Sequence, residues 1–333
     1  MNQLDETARL VELGDLDELT RHVDRLSHAG DWAALLDLRD RCLAAVARGK
    51  QLWPIATHAE FRLALEAPGR WAATVLETRA GHFAPGPLAE VAGSTHQWAE
   101  LAPHVPATPV AALAAHERVV RGEDLRADPV ATSLPPVLEL PFMLQSWEPS
   151  YPLAEYHPDR VDFPRPPMSA IAGRALPVRD GRATVRADPD ATSALTELAG
   201  AWTKESNGRA EALAVRGRAA DAVRALGAPV VRMVEVTAPD ALALMGWTAA
   251  SGGAHGRRRG AAAGRFSVWW TLAGLAGLVD EWPIEPDELG EVAADLRFYC
   301  WDAGEPETGW VLRLAIEDPA ESLAWAVAAV DLA

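Results

Sequence analysis

Lysine is nearly missing from this sequence. Of its 31 basic residues only Lys50 and Lys204 are lysines. With the abundance of alanine, this bias reads as the coding habit of a GC-rich genome rather than a physical choice. Cysteine is equally scarce. Cys42 and Cys300 stand alone and far apart, which excludes a disulfide framework and a cysteine-based zinc cluster and fits a reducing compartment. Long hydrophobic runs are absent: the longest mostly apolar stretch, FSVWWTLAGLAGLV at 266–279, is 14 residues, against the roughly 20 a membrane helix needs. It reads as a buried helix. The first residues, MNQLDETARLVELG, are acidic and lack an apolar segment, so no signal peptide is expected. A soluble, cytoplasmic protein is the expectation.

Catalytic signatures are missing too. There is no GxSxG elbow, no phosphate loop of the GxxxxGKS/T or GxGxxG type, and no HExxH pair. Eight of the nine histidines lie between His22 and His157, and none has another histidine three or four residues away. In THAEFR, His58 and Arg62 share a helix face while Glu60 does not. No metal site and no cofactor are expected, and whether the chain is an enzyme stays open, with the balance against it.

What is present begins with size. A chain of 333 residues, 49% hydrophobic, buries a substantial core and is long enough for two domains. Thirteen tryptophans supply large flat surfaces for packing or recognition. The net charge of −16 is uneven: from residue 280 onward 14 acids face 2 arginines, a net of −12, and residues 1–125 carry 18 acids and 12 bases. Such a field repels a phosphate backbone and disfavours generic nucleic-acid binding, while it suits a protein partner with a basic surface.

The predicted fold is α+β. Residues 1–125 read as helices, with apolar residues at three- and four-residue spacings and Gly or Pro as punctuation. GDWAALLDL at Gly30 is echoed by GRWAATVLE at Gly69, 39 residues on, with partial echoes GDLDEL at Gly14 and HQWAEL at Trp98. That period predicts a HEAT- or armadillo-like helical array, the alternative being an irregular bundle. Residues 126–175 hold ten of the 25 prolines and read as an extended, packed connector. Residues 176–333 read as an α+β domain: a hairpin at Asp180-Gly181, alternating strands and helices, a hairpin across GEPETG, and a last helix from Asp318-Pro319 through ESLAWAVAAV. The expected architecture is a mixed sheet with helices mainly on one face.

The stretch with most chemical character is SGGAHGRRRG at 251–260, between two predicted helices. Its glycines allow close backbone approach to an anion, and arginine forks suit phosphate or carboxylate. The candidate ligand-binding residues are Gly252, Gly253, His255, Arg257, Arg258, Arg259 and Arg265, with His255 a weak candidate acid or base. Two alternatives compete. Ser251 and His255 stand four apart, but the intervening glycines oppose a catalytic pair. The acids after residue 280 are candidates to neutralise the arginines within the same domain, the glycines then serving only a tight corner. Trp269 and Trp270 follow the loop, with Trp282, Trp301 and Trp310 beyond. Core packing is the simpler role for them, and an aromatic floor under the loop the sharper one.

SGGAHGRRRGAAAGRFSVWW, WPIEPDELG and LRFYCWD…TGWVLRLAIEDP in the second half, with WPIATHAEFRLALEAP in the first, resemble a family of unknown function from GC-rich bacteria. The resemblance implies no activity, cofactor or partner. The residues themselves support two readings: an adaptor using a helical-repeat surface, and a protein holding an anionic, phosphorylated or carboxylated small molecule on the Gly/Arg loop.

Overall fold

A computed structural model describes residues 3–77, 84–167, 184–227, 232–302 and 308–332. Its contacts divide the chain into two compact units, residues 1–138 with 154–162, and residues 139–153 with 163–333.

The first unit is helical: α1 (Gln3–Leu13), α2 (Leu16–His28), α3 (Trp32–Ala47), α4 (Trp53–Glu66), α5 (Gly69–Ala72), α6 (Leu88–Thr95), α7 (Trp98–Leu101) and α8 (Pro109–Val120). Local chemistry starts these helices. Asp15 accepts from the backbone N–H of Asp17 and Glu18, and Leu19, Val23 and Leu26 of α2 then recur at helical spacing and are buried. Asp31 caps α3 and Thr108 caps α8 in the same way, each accepting one backbone N–H. The central helix is α4, which packs against α2, α3 and α6. Nine of its residues are buried, including the charged Glu60 and Arg62, and Arg62 answers with Glu66 at 3.1 Å and Asp24 at 3.6 Å. His58 also reaches Asp24, at 3.1 Å, as its shared face with Arg62 implies.

The sequence echo does not mark equal helical units. The letters that open the 16-residue α3 give only the four-residue α5 and a 3-10 turn, Ala73–Val75, at the second copy, and the four-residue α7 at the third. The shared G-x-W-A-A motif specifies a turn and a helix start, and the residues beyond the motif decide the helix length.

The proline-rich stretch behaves as its missing N–H donors require. Up to residue 167 it forms a 3-10 turn, Ala131–Ser133, and a two-stranded hairpin, β1 (Glu155–Tyr156) and β2 (Val161–Asp162). The hairpin belongs to the first unit, where Tyr156 donates to Glu90 at 2.6 Å and lies edge-on to Phe61.

The second unit holds β3 (Thr184–Arg186), α9 (Pro189–Glu197), α10 (Gly200–Glu205), β4 (Arg209–Arg216), α11 (Ala219–Ala225), β5 (Arg232–Val236), α12 (Ala238–Ala250), α13 (Ala261–Ala276), α14 (Pro286–Asp295), β6 (Arg297–Asp302), β7 (Trp310–Asp318) and β8 (Leu323–Asp331). The hairpin expected at Asp180-Gly181 lies outside the described residues. Two expectations are corrected. The sheet, in order β3-β4-β8-β7-β6-β5, is antiparallel at every described pairing rather than mixed. The last segment is not a helix but β8, an inner strand paired along its length with β4 and β7.

The reason is local and tertiary together. Asp318 accepts from the N–H groups of Ala320 and Glu321, as a helix cap would, but Ser322 then adopts φ +51 and turns the chain back. The Ala- and Val-rich run beyond it, helix-prone in isolation, fills the slot between two strands, where its small side chains are covered on both faces. Even-numbered Ala324 and Ala326 pack with Ala219, Ala222 and Val223 of α11, together with Val215, Trp301 and Ala315. On the other face Trp325 donates its indole N–H to Asp188, the cap of α9, at 2.9 Å, and Trp310 stacks on Trp247 of α12. The short α11 covers one face and the longer helices the other.

Candidate functional site

The Gly/Arg stretch forms a tight corner between α12 and α13. Pro239 and the Thr237 cap start α12, and α13 begins after Gly260, which has φ +95. Steric demand accounts for the glycines. A Cβ on Gly252 would strike the carbonyl of Gly256, and one on Gly256 the carbonyl of Gly252. Gly253, at φ +68, lies against Trp202 and the carboxylate of Asp331. Where the two helices cross, Gly264 leaves no room for a side chain against the Gly246 carbonyl.

Several donors of the corner are engaged by carboxylates of the chain itself. The buried Asp331 accepts the Ala254 N–H at 2.7 Å, and Glu205 accepts the Arg257 N–H at 3.0 Å. Arg259 pairs with Glu197 at 3.4 Å, and Lys204 meets the same carboxylate at 2.6 Å. Arg258 lies over the ring of Phe163, 3.7 Å from its centroid. Arg265 leaves the corner altogether. Its guanidinium makes a two-pronged pair with Glu148, at 2.8 and 2.7 Å, and donates to the carbonyls of Pro141 and Met143. Both members of that pair are fully buried. Among the described residues, Glu148, Glu197 and Glu205 precede the corner, and Asp331, one of the acids after residue 280, meets it. The acidic neighbour expected from the charge count is therefore mostly a different one.

Ser251 and His255 are not brought together. Ser251 is buried, donating to the Thr248 carbonyl and accepting the Trp202 indole N–H at 2.8 Å, whereas His255 is exposed. An aromatic floor does lie beneath the corner, built from other tryptophans than those next to the loop in sequence. Trp247 stacks on Trp310 at 5.0 Å, Trp202 meets both edge-on at 6.1 and 6.2 Å, and Phe163 lies over Trp247 at 6.2 Å. Trp269 packs with Trp147 instead, and Trp270 with Phe266 and Trp282. The corner thus packs on aromatic side chains of its own unit, and Ala254, Arg257 and Arg259 donate to carboxylates there.

Two clusters escaped the sequence. On the β1–β2 hairpin, ligand atoms of Glu155, His157 and Asp162 come within 4.8 Å of one another. Residues two apart share a strand face, a spacing that a search at helical intervals passes over. Arg160 already donates to Asp162 there at 3.1 Å and supplies a positive charge. The larger feature is a cleft of about 1120 Å³ beside α11, lined among others by Arg218, Met233, Glu235, Arg297, Tyr299 and Glu317. Its residues are spread over a hundred positions, and only the alternation within β5 and β6 hinted that Met233 shares a face with Glu235, and Arg297 with Tyr299.

Among the described residues no helix is long and apolar enough to cross a membrane. Compared with known proteins, residues 17–332 match the model of a family of unknown function, DUF6183.

The chain belongs to that family.

The DUF6183 match spans nearly all of both units and so takes in the corner and the cleft alike. No curated protein and no solved structure matches the chain. The chemistry of this DUF6183 protein is therefore argued from its own geometry.

Proposed function

We propose that the protein is a non-catalytic, cytoplasmic interaction module whose helical unit, in the manner of a helical-repeat surface, receives a basic amphipathic segment of another protein. The observation that carries this reading is the placement of exposed apolar side chains. Of the seven large hydrophobic residues exposed among those described, Leu13, Leu16, Leu43 and Trp53 lie in the first four helices. Glu12, Asp15, Asp17 and Glu18 surround the first two in the chain. Apolar anchors inside an acidic rim suit a partner that brings leucine-like side chains and lysine or arginine together. Retention of an anion by the Gly/Arg corner is the weaker reading, because it would have to displace Glu197, Glu205 and Asp331 from donors they already hold.

Crosslinking in native extract followed by mass spectrometry tests it, with the captured protein then purified and titrated. The wild type is expected to bind, with affinity falling as salt rises, and Leu13→Asp with Trp53→Ala to lose the partner while remaining folded. Equal binding by wild type and variant overturns the reading.

A further inference from the structure

The sheet face under α11 is only partly covered. α11 packs on β4, β7 and β8, and beside its start the cleft extends over β7, β6 and β5. Met233 and Glu235 of β5 stand opposite Trp301 and Tyr299 of β6, and Arg297 stands opposite Glu317 of β7. Strand alternation therefore turns one coherent set of side chains into this space.

Most charged groups of the cleft are already committed. Asp221 accepts the Arg218 N–H at 3.1 Å and the Arg224 guanidinium at 3.3 Å. Glu317 accepts the Ala219 N–H at 2.9 Å, and Asp318 holds its own turn. Three groups remain. Among the described residues, the guanidinium groups of Arg218 and Arg297 form no ion pair with a carboxylate and the carboxylate of Glu235 none with a cation, and Arg297 lies near the Tyr299 hydroxyl. Glu317 relates the two arginines. It is the strand partner of Arg297, and its carboxylate holds the residue next to Arg218. Two guanidinium forks without a carboxylate, one carboxylate without a cation and an apolar floor of Met233 and the Tyr299 ring within a single cleft match the usual pattern of a small-molecule site.

We propose that this cleft binds a small zwitterion, with an anionic head group (carboxylate or phosphate) on Arg218 and Arg297, an ammonium on Glu235, and a short apolar spacer on Met233 and Tyr299. Burial first, then Glu317 and Glu235, raise the Tyr299 hydroxyl above its ordinary range, so at neutral pH it stays protonated and offers the ligand a donor. The inference is independent of the interaction reading: the cleft lies in the second unit and uses none of the exposed apolar residues of the first four helices.

Calorimetric titration of the full chain with two matched pairs tests it: phosphoethanolamine against ethyl phosphate, and γ-aminobutyrate against butyrate. In at least one pair the zwitterion is expected to bind about tenfold more tightly than its ammonium-free counterpart, the scale of one charge-assisted hydrogen bond. Which pair responds distinguishes phosphate from carboxylate. Glu235→Gln should abolish the preference within the pair. Arg218→Ala and Arg297→Ala should each weaken both members about tenfold. All three side chains are exposed, so the fold should persist, as circular dichroism can show; if an alanine variant unfolds, Arg218→Lys and Arg297→Lys take its place and should weaken binding by loss of the planar fork. The proposal is overturned if none of the four compounds binds, if the members of both pairs bind equally, or if the arginine substitutions leave affinity unchanged.

Discussion

Two regions of the second unit present arginines, and they differ in what the arginines do. At the Gly/Arg corner, Arg259 pairs with Glu197 and Arg258 lies on Phe163, and on the helix that follows Arg265 pairs with Glu148. At the α11 cleft, Arg218 and Arg297 face open space with no carboxylate partner among the described residues. By sequence the corner is the conspicuous site, with three consecutive arginines, and the cleft is invisible. Density of charge along the chain thus says little about availability. A guanidinium is available when the fold brings no carboxylate to it, and that depends on strand register and helix placement far from the arginine itself.

The largest expected effect breaks the corner side of this comparison. Arg265→Met leaves Glu148 buried without its cation and should destabilise the protein by about 3–5 kcal/mol. Urea unfolding followed by tryptophan fluorescence would measure it. Pairing it with Glu148→Leu should recover part of the loss, because no lone buried charge remains. Recovery would be incomplete, since Glu148 also accepts from the Tyr151 hydroxyl and the Gln145 N–H.

Next in size is Gly252→Ala. The new methyl group meets the backbone of Gly256 and Arg257 rather than a yielding side chain, so about 1–3 kcal/mol of overpacking is expected. If the glycines instead served a ligand, the same change would leave stability intact and alter only binding.

How much of this was legible from the sequence depends on the range of the interactions involved. The helices of residues 1–125, with apolar residues at helical spacing, and the hairpin of β6 and β7 are short-range structures and were readable as such. The strand β8 was not, because an Ala-rich run after an Asp-Pro start carries every local mark of a helix, and only its pairing with β4 and β7 overrides them. The corner's tightness was readable from its glycines. Pairing with acids of the same domain was also expected, but the identity of Glu148, Glu197 and Glu205 was not readable, because they lie roughly fifty to over a hundred residues earlier in the chain. The tryptophan floor was readable only in part: Trp310 was a candidate, but Trp202 on α10 and Trp247 on α12 meet it by tertiary packing that the sequence does not show.

Two titrating groups of the first unit extend the contrast between paired and unpaired charge. His22 is buried, bonds to the Thr7 hydroxyl at 3.0 Å and lies 3.1 Å from Arg25. Burial first, and Arg25 second, lower its pKa below the ordinary 6.5. The unfolded chain therefore binds this proton more readily, so stability is full above about pH 6.5 and falls as pH drops toward the folded-state value. His22→Gln should flatten that part of the profile, as urea midpoints between pH 5 and pH 7 would show. Cys42 is fully buried, and burial pushes its thiol up to about 12. It should resist alkylation at pH 8 in the native protein and react on unfolding.

The smallest effect sharpens the comparison most directly. Arg259 and Glu197 are 42% and 43% exposed, so their pair is screened by water, and Arg259→Ala should cost no more than about 1 kcal/mol. Arg218→Ala, which removes a guanidinium with no carboxylate partner, should change stability by less than about 0.5 kcal/mol. Both should be measured at low ionic strength and again near 1 M salt, where the screening length falls to about 3 Å. The Arg259 cost should then vanish while the Arg218 value stays put. Salt dependence at Arg218 comparable to that at Arg259 would mean that the cleft arginine is held by a carboxylate after all, and the difference between the two regions would collapse.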